Sequence, residues 1–282
     1  MGDLHLYALQ AGGPEPLAAP PGARTLHDVD LPDGIYEGLR TFGRARFLFL
    51  ERHLERAQRS MDLLGWREPL DQALVRRGLD AVARAVPFAD AVIRVDVFEH
   101  PARALGVETR HLALLGPFQP VPPEALARGV EVGVARGKAR RTPMIKRNEW
   151  ITRRRGTGPG DHGYFEHLLL DDEERILEGS SCNVFCVRRG ALLTAPDEVL
   201  GGIQRGVFVE LAERERIPVR FEAVPLAEIG ELDEMFLTSS SRAAVPIVAV
   251  EGRRVGRGVP GPLWRRLLHR YEALAAEARP AV

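Results

Sequence analysis

Lysine is almost missing from this chain: of 39 lysine and arginine residues, only Lys138 and Lys146 are lysine. Arginine cannot give up its proton inside a protein, so any chemistry that needs a neutral amine rests on two positions. On rarity alone Lys146 reads as one of two remaining surface amines; the alternative is an amine that attacks a carbonyl. Cysteine is nearly as scarce. Cys182 and Cys186 are the whole supply, too few for a disulfide framework. On a strand their even spacing puts both on one face, as two reduced, partly buried thiols. No histidine cluster joins them, which argues against a metal site. An excess of either charge is also absent, with 39 basic and 39 acidic residues and a pI near 7.1. That balance gives no field for nucleic acid or an anionic membrane. There is no long uncharged apolar run, and Met1-Gly-Asp-Leu-His-Leu opens on an acid, so neither a spanning helix nor a signal peptide is expected and the location expected is cytoplasmic.

What is present suits a globular enzyme: 282 residues, 45% hydrophobic and 28% charged, long enough for two cores. Leu4 to Ala8 predicts a strand and Ala11 to Gly22 a Gly/Pro-rich loop. Gly34 to Phe42 and Arg46 to Leu50 predict a hairpin turning at Gly43. A helix follows from Glu51, with Leu50, Leu54, Ala57, Met61 and Leu64 at helical spacing and Gly65 as its stop. On it His53, Arg56 and Ser60 share a second face. By itself Arg56 is a solvated cation or a clamp for an anion. A second helix spans 70–85, strands 91–98 and 111–115. The proline-rich stretch from Gly116 to Pro123 marks the passage between domains, giving residues 1–117 as a small N-terminal α/β domain, 118–128 as linker and 129–282 as the larger domain. In the latter, 129–135 and 164–171 read as strands, 136–141 as a basic loop, and Lys146 opens a short helix ending near Gly156. Asn183 to Val187 is a further strand, beside Glu178-Gly-Ser-Ser. A glycine turn at Gly201 feeds a helix to about Arg216, 218–222 and 244–250 are strands, and 260–276 closes the chain as an amphipathic helix.

Taken in order, Tyr36-Glu-Gly-Leu-Arg40, His53-Leu-Glu-Arg56, Lys146, Glu178-Gly-Ser-Ser-Cys-Asn183, Gly202-Ile-Gln-Arg205 and Phe236-Leu-Thr-Ser-Ser-Ser-Arg242 resemble the class IV, fold type IV, pyridoxal-phosphate aminotransferases. That family includes branched-chain aminotransferase, D-amino acid aminotransferase and aminodeoxychorismate lyase. The resemblance implies an α+β, two-domain fold with a C-terminal pseudo-barrel, pyridoxal 5'-phosphate as cofactor, a homodimer, and transfer of an amino group between an amino acid and a 2-oxo acid. It makes Lys146 the residue that carries the cofactor covalently and then moves the proton at the substrate Cα, and Glu178 the partner of the pyridine nitrogen. Arg56, Ile203, Gln204, Ser239 and Ser240 become its phosphate contacts, the helix N-terminus adding amides and dipole. Tyr36, Arg40, Arg94 and Ser241 fall at substrate positions, where strand arginines are ordinarily just ion-paired and a serine run ordinarily caps its own loop.

The sequence departs from that pattern at several places. Gln204 stands where threonine is usual, Val92 where branched-chain enzymes carry a tyrosine, Glu149 where an asparagine follows the lysine, and Trp150 or Ile151 where a tyrosine is often found. Two other readings use the same residues: aminodeoxychorismate lyase, which releases pyruvate, and a binding protein that keeps the fold without the chemistry.

Overall fold

A computed structural model describes residues 4–282. The chain forms two compact units. It leaves the first after Gln119, returns for Ile145–Arg153, and returns again for Ala275–Val282; Pro120–Met144 and Arg154–Leu274 make the second. The sequence reading, with one passage at 118–128, assigns both return segments to the second domain. The difference comes from backbone pairing that no periodicity encodes. Tyr36 N donates to Lys146 O at 2.9 Å, and Asn148 joins Gly34 N and Pro32 O through its side-chain amide. The linker also holds a short helix, Pro123–Arg128, whose proline lies in the first turn where a missing N–H costs nothing.

In the first unit the chain runs β1 (His5–Ala8), β2 (Glu15–Leu17), β3 (Ile35–Arg40), β4 (Arg46–Phe47), α1 (Leu50–Leu63), α2 (Gln72–Ala85), β5 (Ala91–Val97) and β6 (His111–Pro117). The sheet order is β2-β1-β6-β5-β3. Alternation along β3 sends Ile35 and Leu39 into a core with Leu54 and Met61 of α1 and Leu79 and Val82 of α2. The opposite face is covered by Leu26, Val29 and Phe98. β3 is an edge strand, and the 146–148 backbone pairs along it, removing an exposed edge. The predicted hairpin strand 46–50 shortens to β4, because Phe49 takes a positive φ of 57° and turns the chain into α1. Asp71 caps α2 by accepting from Leu74 N at 2.9 Å, an interaction worth about 1 kcal/mol.

The second unit begins with α3 (Pro123–Arg128) and β7 (Val130–Val134). After α4 (Glu149–Arg153), which belongs to the first unit, it continues through β8 (His167–Leu170), β9 (Arg175–Gly179), β10 (Asn183–Arg188), β11 (Ala191–Thr194), α5 (Ile203–Arg214), β12 (Val219–Phe221), β13 (Val224–Pro225), β14 (Glu234–Ser239), β15 (Ala243–Val250), β16 (Arg253–Arg254) and α6 (Pro262–Ala275). β17 (Arg279–Pro280) then pairs with β4 in the first unit. Strands β10, β14, β15, β7, β8 and β9 are neighbours in that order, and a further pairing of β9 with β10 closes them into a ring. Val132, Leu168, Val184, Cys186, Leu237 and Val245 fill the inside. Outside, Phe185 and Phe236 stack at 5.2 Å and receive Phe208 of α5, which in turn stacks on Tyr271 of α6.

The ring closes through a single residue pair, Asn183 with Glu178. Strict alternation along β9 would point Glu178 inward beside Ile176. The register shifts between Leu169 and Leu170, which face Glu178 and Ile176 respectively, so Leu177 is an extra residue on β9. This bulge turns Glu178 to the outer face that carries Phe185 and Phe236. Both cysteines are free and buried rather than partly so, and burial pushes the Cys186 thiol up to about 12 and Cys182 well above its ordinary value. Among the described residues no helix is long and apolar enough to cross a membrane.

Candidate functional site

In the first unit, Arg56 and His53 lie against one buried carboxylate. Alternation puts Glu37 on the same face as the core residues Ile35 and Leu39, where a charge must find partners. It finds two on α1. Arg56 binds it with Nε at 2.9 Å and with Nη2, and His53 Nδ1 lies 2.8 Å from Oε2. Burial raises the Glu37 pKa, but the charge of Arg56 and the hydrogen bonds from His53 and Arg56 outweigh it and hold the group at about 2. An ionised Glu37 only accepts, so Nδ1 of His53 carries the proton. Burial, reinforced by the charges of Arg56 and Lys146, keeps His53 below its ordinary value. Lys146 Nζ sits 4.5 Å from the centroid of the Tyr36 ring. The other lysine is committed elsewhere, with Lys138 Nζ donating to Arg155 O at 2.9 Å.

Buried groups of this kind make the stability of the first unit fall with acid. His111, on β6, is lowered by burial and by the neighbouring Arg110 to about 4. The unfolded chain binds that proton near pH 6.5, so the histidine's contribution is complete above pH 6.5 and is lost as pH falls from there to about 4. Glu37 adds a loss below about pH 4.5 that runs down to about 2. Urea midpoints should therefore fall between about pH 7.5 and about pH 4.5. His111→Gln should remove its own share of that dependence, up to about 3 kcal/mol, leaving the share of His53, which burial lowers in the same direction; an unchanged slope would discount His111.

In the second unit Glu178 is buried, with Oε1 accepting from Arg140 Nε at 2.6 Å and Oε2 accepting from Asn183 Nδ2 at 3.3 Å and Leu200 N at 3.2 Å. Ile203 and Gln204 open α5, whose cap residue Gly202 gives no side-chain cap. Gln204 is buried and its Oε1 has no hydrogen-bond partner. Ser239 ends β14 and Ser240 and Ser241 form the turn into β15. Beside that turn Arg242 reaches Ser239 Oγ at 3.1 Å, Ser181 Oγ at 2.7 Å and Glu166 Oε2 at 3.0 Å. Glu166 also accepts from Ser180 Oγ at 2.6 Å and from Ser181. Its burial opposes ionisation, but the Arg242 charge and these donors keep its pKa below the usual range.

Two of the substrate positions have internal commitments. Arg94 is buried with Nη1 donating to Leu26 O and Nη2 to Asp96 Oδ1. The Arg40 guanidinium lies between the rings of Phe42 and Phe118, at 4.1 and 3.8 Å. Sequence reasoning passed over Glu37, Arg140, Asn183, Glu166 and Arg242 as partners. For Glu37 a signal existed, an acid at a core position of an alternating strand; Arg140 sits in a loop with none.

A family model described as Amino-transferase class IV matches residues 34–250. The "Probable branched-chain-amino-acid aminotransferase" of Thermotoga maritima is 30% identical over 260 residues, 88% of this chain and 88% of that protein. The branched-chain-amino-acid aminotransferase of Escherichia coli K12 is 26% identical over 268 residues, 88% of this chain and 86% of its own. Among solved structures, the T.th. branched-chain amino acid aminotransferase with pyridoxamine 5'-phosphate shares the fold with a TM-score of 0.79, at 22% identity, covering 96% of this chain and 94% of that one. With a family model spanning most of the chain and relatives matched along nearly their whole length, this protein belongs to the class IV aminotransferases and is an enzyme of that family.

Proposed function

We propose that the protein moves an amino group between an amino acid and a 2-oxo acid with pyridoxal 5'-phosphate as its cofactor. The observation that carries the proposal is the pairing of unusual environments on family positions: a lysine kept in a chain of arginines, and one carboxylate turned outward by a bulge. The donor sets suit the cofactor. The uncapped first turn of α5, the buried amide of Gln204 with an orphaned end, and the hydroxyls of Ser239 and Ser240 suit a phosphate. Where Gln204 replaces threonine, its amide end supplies the polar group, since O and N of an amide exchange by a flip. Glu37 holds the Arg56 guanidinium at Nε and Nη2, which fixes the orientation of a planar fork suited to an anion. Glu178 suits a ring nitrogen because a buried carboxylate favours its protonated form.

When bound, the cofactor supplies an electron sink that makes the substrate Cα proton removable. The chain's residues do the rest. Lys146 would hold the cofactor covalently through Nζ and, as a free amine, would take and return the Cα proton. Glu178 would hold the proton on the ring nitrogen. Ile203, Gln204, Ser239 and Ser240 would anchor the phosphate, a role the family pattern also gives to Arg56, and the same pattern gives Tyr36 and Ser241 to the substrate.

The relatives' names make leucine, isoleucine and valine the first donors to try. Single amino acids added to the cofactor-loaded protein should each be scored by loss of its visible absorbance, and restoration by a 2-oxo acid completes the cycle. Pyruvate released from aminodeoxychorismate without any acceptor would instead identify a lyase.

A further inference from the structure

The carboxylate of Glu178 and the N-terminus of α5 are joined by one side chain. Asn183 faces Glu178 at the single pair that closes the barrel. Its Nδ2 donates to Glu178 Oε2 at 3.3 Å and to Leu200 O at 2.9 Å. Leu200 N returns to Glu178 Oε2 at 3.2 Å, and Gly202 N reaches Leu200 O at 2.7 Å. A Cβ on Gly202 would overlap Asn183 Oδ1, so the helix cap rests directly on the asparagine. Gln204, two residues on, presents its orphaned buried amide. Asn183 thus touches both ends of the polar row: the carboxylate on one side and the cap of the helix on the other.

We infer that Asn183 is a positioning residue that fixes the spacing between the Glu178 carboxylate and the amides opening α5, so that a ligand carrying a cationic ring nitrogen and a phosphate is bound at both ends at once. The inference rests on the proposed cofactor but assigns a separate role. A ligand with only one of the two groups gains nothing from correct spacing, whereas a ligand with both loses affinity whenever the spacing relaxes. Gly202 belongs to the same device, because any side chain there pushes Asn183 aside.

The test compares pyridoxal 5'-phosphate with two one-ended probes, pyridoxal and inorganic phosphate, in equilibrium titrations of the full chain, with thermal midpoints recorded alongside. Asn183→Ala should weaken pyridoxal 5'-phosphate at least about tenfold, the loss expected for hydrogen bonds to a charged group, and change each one-ended probe less than about threefold. Gly202→Ala should do the same in the parent chain and add little in the Asn183→Ala background, since the overlap is then gone. Equal weakening of all three ligands, or additive effects of the two substitutions, would overturn the inference. If Asn183→Ala does not fold, Gly202→Ala alone against the three probes decides between them. A parent chain that binds no pyridoxal 5'-phosphate refutes the proposed cofactor; a parent that binds it, with variants that bind it equally well, refutes only the role of Asn183.

Discussion

Lys146→Ala loses amino transfer by about 10³- to 10⁴-fold or more while its thermal midpoint stays within a few degrees of the parent. On the proposed role of Lys146 the rate loss follows from removing two functions at once, the covalent attachment and the proton shuttle, the second alone being worth about 10²–10⁴. Small structural cost follows from how the segment is held. The 146–148 backbone, through Lys146 O and the side chain of Asn148, attaches it to β3, and none of those bonds uses the lysine side chain. Lys146→Arg is the sharper control. It keeps a cation beside the Tyr36 ring but removes an amine that can deprotonate, so it should be as inactive as alanine. Activity near the parent's in Lys146→Arg would mean that charge, not nucleophilicity, is what the position supplies.

Glu178→Gln should lower the rate by about 10²-fold or more, as expected for loss of one well-placed electrostatic partner in a buried site. It should also lower stability, because Arg140 donates to Glu178 while its side chain is almost fully buried, and a buried cation that loses a carboxylate costs up to about 3 kcal/mol. The two losses are separable. Replacing both members, Arg140→Gln with Glu178→Gln, removes the buried cation together with the carboxylate and should restore most of the thermal midpoint without restoring turnover. Recovery of both together would make the carboxylate a structural group; recovery of stability alone assigns it to the chemistry.

The sequence carries the elements better than it carries their meeting points. The stripe Leu50, Leu54, Ala57 and Met61 is buried as helical spacing requires, and the helical period of α1 and α2 needs no distant information. Glu178 is different. Its orientation depends on an extra residue, Leu177, opposite the junction of Leu169 and Leu170, and a bulge leaves no mark on local composition. Likewise the return of 145–153 and 275–282 to the first unit depends on edge pairing with β3 and β4, which is a property of strands remote in sequence. Lys146 stood out for a compositional reason, Arg56 only through its spacing from His53. The Glu37 carboxylate that orients both of those α1 side chains was readable as a misplaced charge on a core face, and Arg140 was not readable at all.

The proposed chemistry passes through one amine. The protein purified with pyridoxal 5'-phosphate, reduced with borohydride and digested, should lose its visible band and carry the added cofactor mass on the peptide containing Lys146. Mass found on Lys138, whose Nζ is engaged with Arg155 O, or no covalent mass on any peptide, would contradict the account.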